Sequence, residues 1–220
     1  LQPRTAVGNP YGDGYYDDFN TAVGLDSAGR TQLHHKGKLV IGVENTPTVI
    51  FDLMQFLVID LGGVVGQIGM GQHGTAFAHA GMRMGPAICY EGLYGDFYGD
   101  FVRRGAQFMA IISNDGWWGD TPGYKHLFTI SRLRAIEHRR AIARSANTGM
   151  SGFISARGDI GETLGWEKRG VISAAVPLNS ELTFYTRYGD YLGRIAEYLT
   201  LLCVLYYIAY RVKKKNYLVK

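Results

Sequence analysis

The chain has 220 residues, 46% of them hydrophobic, with thirty glycines, fifteen tyrosines and a net charge of +4 at pH 7. This fits one substantial α/β domain, alone or with an appendage, and argues against a helical bundle or a disordered chain. Two cysteines, Cys89 and Cys203, exclude a disulfide framework, and no Cys/His group has zinc spacing.

In chain order, Leu1 to Asp18 is turn chemistry and is expected to be a surface loop. The opening Leu1-Gln-Pro-Arg is neither an initiator methionine nor a signal peptide, so the chain is read as beginning upstream. Asn20 to Leu25 and Thr31 to His35, joined by Asp26-Ser-Ala-Gly29, predict a β-hairpin. His34 and His35 are strand neighbours that point to opposite faces, which works against a shared metal ion. Thr48 to Leu61 has apolar residues at helical spacing, as core packing or as a surface laid against a membrane. Gly62 to Gly74 lacks a phosphate-loop frame and is expected to be a flexible loop.

Met82 to Ile88 reads as a buried strand and Tyr94 to Arg104 as a helix, placing Cys89 at a strand-to-helix junction. Such junctions expose reactive groups in α/β folds, although a free cysteine also packs as a small core hydrophobe. Ala106 to Ser113 is the next strand, completing a βαβ unit. It leads into Asn114-Asp-Gly-Trp-Trp-Gly119, where the paired indoles form a pocket wall or an aromatic plug. Tyr124 to Arg139 predicts a helix with Leu127, Ile130, Leu133, Arg134 and Ile136 at near-helical spacing and Arg132, Glu137, His138 and Arg139 as its polar flank. Strands are expected over Ala141 to Ala146, up to Ile154, and over Val171 to Val176. The pattern is a layered α/β sandwich.

From Ile195 to Tyr210 the only charge is Glu197, and from Tyr191 the apolar segment reaches the ~20 residues that cross a hydrocarbon core. Tyrosines at both ends fit an aromatic belt, and the basic run from Arg211 to Lys215 marks the cytoplasmic side. The competing reading is a terminal helix docked on the domain. The positive charge is thus concentrated beside a membrane, not spread as a nucleic-acid footprint.

Lys36-x-x-Leu39-Val40 with Glu44, then Ile88-Cys-Tyr-Glu91, Ser113-Asn-Asp-Gly-Trp-Trp-Gly119 and Arg144-Ser-Ala-Asn-Thr-Gly149, together resemble the nitrilase superfamily. More narrowly, they are similar to the carboxy-terminal part of bacterial apolipoprotein N-acyltransferases, from about Tyr15 to Lys215. The resemblance implies an αββα sandwich of the nitrilase type over residues 1–188, one transmembrane helix over 189–212 and a basic cytoplasmic tail over 213–220. It implies a Glu-Lys-Cys triad with Cys89 as nucleophile and Lys36 as its lysine, Lys38 competing less well for that role. Glu44, Glu91 and Tyr90 are supporting residues, and Asn114, Trp117 and Trp118 line the pocket. The triad glutamate should precede the lysine, where no Glu occurs before Glu44, so this 220-residue piece is expected to lack its general base. The implied reaction takes an acyl chain from a membrane phospholipid as a cysteine thioester and transfers it to the amino-terminal diacylglyceryl-cysteine of an apolipoprotein. It implies no metal, no cofactor and no nucleic-acid partner, and a catalytic domain on the periplasmic side of the inner membrane. A membrane-tethered amidase and a catalytically incomplete binding domain are the alternatives.

Overall fold

The computed structural model describes residues 18–40, 44 and 68–218. The segments Leu1 to Asp17, Thr48 to Leu61 and the first half of the glycine-rich loop lie outside them.

Strands β1 (Thr21–Leu25) and β2 (Thr31–His35) form the expected hairpin, with Val23 opposite Leu33. Its turn is built by Asp26, whose Oδ1 accepts the N–H groups of Ala28 and Arg30. A six-stranded sheet follows in spatial order β3 (Phe77–His79), β4 (Met82–Ile88), β5 (Phe108–Ser113), β6 (Ile142–Ala146), β7 (Ser151–Ile154) and β8 (Ile160–Leu164). The central strands β4, β5 and β6 are parallel, and antiparallel partners flank them on both sides. Parallel neighbours need crossovers, supplied by helices α1 (Gly95–Arg103) and α2 (Pro122–His138).

Both helices cover one face of the sheet. Ala87, Met109, Ile111, Ile142 and Ile154 meet Tyr98, Phe101, Val102, Phe128 and Ala135 in one core. Each large apolar side chain so buried contributes about 1.5–3 kcal/mol. The opposite face carries the hairpin, through Ala22 against Phe77 and Ile88. Gln32 adds a bidentate link, its amide donating to the Ala78 carbonyl and accepting the Ala78 N–H. The resulting order of layers is hairpin, sheet, helices. Helix α2 starts on Thr121, whose hydroxyl accepts the Gly123 N–H, with Pro122 in the first turn, and stops at Arg139 in the left-handed region (φ 50°).

Two expectations need correction. Val171 to Val176 forms no strand, and Val171 is almost wholly exposed. The last strand is instead β8, whose Gly161, Glu162 and Thr163 suit an exposed edge and carry little apolar signal. His138 is not on a polar flank but fully buried, while Leu133 and Ile136 are exposed. The cause is the short helix α3 (Phe184–Tyr188), which packs over α1 and α2. There His138 Nδ1 meets the Thr186 hydroxyl at 2.8 Å and Nε2 meets the Gly95 carbonyl at 3.1 Å.

Two residues beyond α3 begins α4 (Tyr191–Leu218). Its first 21 residues, Tyr191–Arg211, have a mean hydropathy of 1.4, lie outside the packed domain and are long and apolar enough to cross a membrane. The helix continues past residue 212, where the span was expected to end.

The other buried polar element lies beyond β5. Arg144 on β6 donates through Nη2 to both oxygens of Asp115 (2.9 and 2.7 Å), and Ser113 donates to the same carboxylate at 2.5 Å. Gly149 lies so close to that carboxylate that a β-carbon there would collide with it.

Burial, reinforced by the Arg134 guanidinium, pushes the His138 imidazole down to about 3 from its ordinary 6.5. Below about pH 6.5 the unfolded chain binds a proton that the native fold refuses, so this contribution to stability is present above that pH and is lost on acidification, by up to about 1.4 kcal/mol per pH unit. Thermal melts between pH 7.5 and 4.5 should show the decline, and His138→Gln, which can still donate toward Gly95, should flatten it. Arg144→Met strands a buried carboxylate and should lower the unfolding free energy by about 3–5 kcal/mol in denaturant titrations.

Candidate active site

The carboxyl ends of β4, β5 and β6 lie side by side, Ile88 in register with Ile112 and Ser113 with Ala146. Cys89, Asn114 and Asn147 are the residues that follow those ends, at the position where α/β sheets open into a crevice. Cys89 is a free, partly exposed cysteine at φ 46°, a left-handed conformation unusual for a residue with a β-carbon. A 3₁₀ turn over Cys89–Leu93 carries the chain from this bend toward α1.

Lys36 enters from the end of β2 and is nearly fully buried, its backbone N–H bonded to the Asn20 carbonyl at 2.8 Å. Its ammonium donates to both oxygens of Glu44, at 2.8 and 2.7 Å. The Val40 N–H and the Asn20 amide each reach the same carboxylate at 2.9 Å. Burial alone would raise the Glu44 carboxyl, but the hydrogen bonds from Lys36, Val40 and Asn20 outweigh it and hold the group below its ordinary value. Glu44 is therefore ionised at neutral pH.

Glu91 lies beneath the cavity floor, with no solvent exposure. Its Oε1 accepts the Gly37 N–H and its Oε2 the Ile88 N–H, both at 2.6 Å, and His34 Nε2 stands 3.1 Å from each oxygen. The two backbone donors are the immediate neighbours of Lys36 and Cys89. A carboxylate accepts only, so His34 carries its proton on Nε2. His35 faces the other way and bonds Thr21 at 2.8 Å.

Cys89, Lys36 and Glu44 line a cavity of about 570 Å³. Of the residues singled out from the sequence, Lys36, Glu44, Cys89, Tyr90, Asn114, Trp117 and Trp118 line it, whereas Glu91 does not. Lys38 is elsewhere, 5.3 Å from the ring centres of both Tyr94 and Phe97. Sequence reasoning missed Asn20, Val40, Ile112, Leu127 and Asn147 as lining residues. Of these, Val40 and Asn147 lay in quoted motifs. Ile112, Leu127 and the two indoles form an apolar wall. Gly123, at the start of α2, lets the Trp118 ring lie flat on the helix, since a β-carbon there would meet the indole. Both indoles remain about half exposed at the cavity mouth, 53% for Trp117 and 46% for Trp118. A free thiol, an ammonium paired with a carboxylate, and an apolar wall line one cavity, an arrangement that could serve attack on a carbonyl whose acyl group is hydrophobic.

The chain is 36% identical over 181 residues to an apolipoprotein N-acyltransferase from Chlorobaculum tepidum, covering 80% of this chain and 34% of that protein. It is 34% identical over 183 residues to one from Verminephrobacter eiseniae, covering 79% and 33%. The chain thus spans about a third of the length of these curated relatives. Among solved structures it is similar in fold to a Saccharomyces cerevisiae member of the nitrilase superfamily, at a TM-score of 0.52 and 18% identity over 73% of this chain and 53% of that one. An amidase from Nesterenkonia gives a TM-score of 0.50 at 15% identity, over 77% and 57%. The fold is therefore the α/β fold of the nitrilase superfamily. The sequence profile of the carbon-nitrogen hydrolases matches residues 5–182, and the chain belongs to that family.

Proposed function

We propose that this chain carries the acyl-transfer site of a membrane-bound apolipoprotein N-acyltransferase. The observation that carries the proposal is the cavity in which Cys89, the Lys36–Glu44 pair and a wall of Ile112, Leu127, Trp117 and Trp118 meet, in a domain continuous with a helix able to cross a membrane. A hydrophobic acyl chain fits that wall, and a phospholipid donor and a lipidated acceptor both arrive from a bilayer.

In the first step the Cys89 sulfur attacks the ester carbonyl of a phospholipid. The S–C bond forms, the C–O bond breaks, and the lysophospholipid leaves as an alcohol, taking up a proton. In the second, the free α-amine of a diacylglyceryl-cysteine attacks the thioester, a C–N bond forms, the C–S bond breaks and the thiol is restored. The Lys36 ammonium stabilises oxyanion charge in both tetrahedral intermediates, with backbone N–H groups after Cys89 contributing. Glu44 neutralises and orients Lys36, while Glu91 acts through the backbone neighbours of both residues and so positions them. Each of these carboxylates is already engaged by three donor groups. The base of the Glu-Lys-Cys set that the family resemblance implies is a glutamate other than these two. Residues 1–188 form the catalytic domain on the periplasmic side of the inner membrane, 189–212 the span and 213–220 the cytoplasmic tail, by the positive-inside rule.

Full-length protein incubated with labelled phospholipid should yield a hydroxylamine-sensitive adduct on Cys89, read by mass spectrometry, and none in Cys89→Ala. Hydrolysis of small amides with no such adduct would overturn the proposal. Lys36→Met should slow adduct formation by about 10²–10³-fold, the effect of losing one oxyanion donor. Glu91→Gln turns an accepting oxygen into a donor facing a backbone N–H. It should slow the adduct and lower the melting temperature together, whereas Lys36→Met should leave the Glu91 bonds in place.

A further inference from the structure

We infer that a second cavity, of about 350 Å³ at the amino ends of the parallel strands, binds a doubly charged phosphate group between Arg83 and Arg140. Arg83 is the second residue of β4, Gln107 directly precedes β5, and Arg140 stands two residues before β6. These three line the cavity with Gly81, Gly105 and Ser180, and none of the six carries a carboxylate.

The observation that points to a ligand is Arg140, only 1% exposed. Its Nε and Nη1 donate to four backbone carbonyls. Carbonyl dipoles solvate a cation without neutralising it, and among the described residues Arg140 has no carboxylate partner. Burial pulls its guanidinium below the ordinary value, with the Tyr98 hydroxyl acting the other way. A buried charge without a counterion is costly. Nη2, the remaining nitrogen, has no partner among the described residues, yet the sealed buried atoms left unpartnered belong to His34, Tyr98, Arg134 and Glu137. It therefore opens onto the cavity.

Arg83, which is exposed, supplies the outer charge. Its Nη1 reaches the Arg104 carbonyl at 3.3 Å, leaving Nε and Nη2 without a partner among the described residues. Gly105, at φ 101°, makes room for this guanidinium, since a β-carbon there would stand 3.0 Å from Nη1. The Ser180 hydroxyl accepts from Gln107 Nε2 at 3.0 Å, so its own proton is left to donate. The Gln107 side-chain oxygen is already engaged by the Arg83 N–H at 2.9 Å. Two guanidinium forks and a hydroxyl suit clustered anionic oxygens. Two positive charges without a counterion match free phosphate or a phosphomonoester, which carries close to two negative charges at neutral pH, better than a singly charged carboxylate or phosphodiester.

This site is separate from the Cys89 cavity. The two share no lining residue, and the length of β4 sets Arg83 about 20 Å from Cys89. What a phosphate fastens here is the stretch from Asn179 to Glu181, already tied to the sheet by the Asn179 N–H on the Gln107 carbonyl at 3.1 Å and by Arg140 on the Glu181 carbonyl at 2.9 Å. Bound to Ser180 and both arginines, it is a removable brace on the segment that leads to α3 and α4.

The test titrates the full chain in detergent micelles with inorganic phosphate by calorimetry, near neutral pH and at constant ionic strength. One phosphate should bind per chain and raise the melting temperature. Arg83→Gln should weaken binding about tenfold, the scale of one charge-assisted contact, while the phosphate-free melting temperature and adduct formation on Cys89 stay unchanged. Arg104→Gln, a neighbouring arginine outside the cavity lining, should bind phosphate as the wild type does. Glycerol 3-phosphate separates the two sources: tighter binding than inorganic phosphate assigns the site to an organic monoester, weaker binding to the free ion. Absence of saturable binding, wild-type affinity in Arg83→Gln, an equal loss in Arg104→Gln, or equal affinity for dimethyl phosphate or acetate would each overturn the inference and leave the proposed reaction standing.

Discussion

The site depends on one buried carboxylate. Glu91 has no contact with solvent, yet its two oxygens hold the backbone of Gly37 and of Ile88, which come from different layers of the fold. Without it the end of the hairpin and the end of β4 would each present an unpaired N–H to the interior, at a cost of about 1–3 kcal/mol apiece. With it, Lys36 and Cys89 are each one residue from a fixed point. Placing two side chains from separate layers requires such a cross-brace, because hydrophobic packing is non-directional and cannot set their spacing.

The helical layer solves a different problem with similar means. His138, Arg134, Arg140 and Thr186 are all buried there, and Arg140 is satisfied by carbonyls alone, those of Ala106, His138, Arg139 and Glu181. This polar seam fastens residues 181–188, and with them the root of α4, to the domain. Asp96 extends the seam by accepting the N–H of Asp190.

What could be read from the sequence followed the physical nature of each signal. The hairpin, β4 and β5 were legible because alternation or a dense apolar run bounded by turn residues leaves few other structures. Strand β8 was not, since an edge strand with Gly161, Glu162 and Thr163 resembles a loop until its partner is known. Val171 to Val176 had the composition of a strand but has no ladder to join. His138 was placed on the wrong side of α2 because the element that buries it, α3, lies 48 residues away at Thr186. Ordered motifs led to Cys89, Lys36 and the tryptophan turn. The brace on Glu91 was invisible for a simple reason: two of its three partners are backbone N–H groups, which every residue but proline possesses.

The joint between α3 and α4 is only Gly189 and Asp190, closed by bonds from Gly189 to Tyr185 and from Tyr191 to Gly189. A connection so short has almost no slack, unlike a flexible linker whose reach grows with the square root of its length. The mouth of the Cys89 cavity consequently keeps a constant azimuth and height relative to the axis of α4. With that axis set in a bilayer, as proposed, the domain would behave as a turret bolted to its deck, and encounters with anything moving in the same sheet of lipid would become a search in two dimensions.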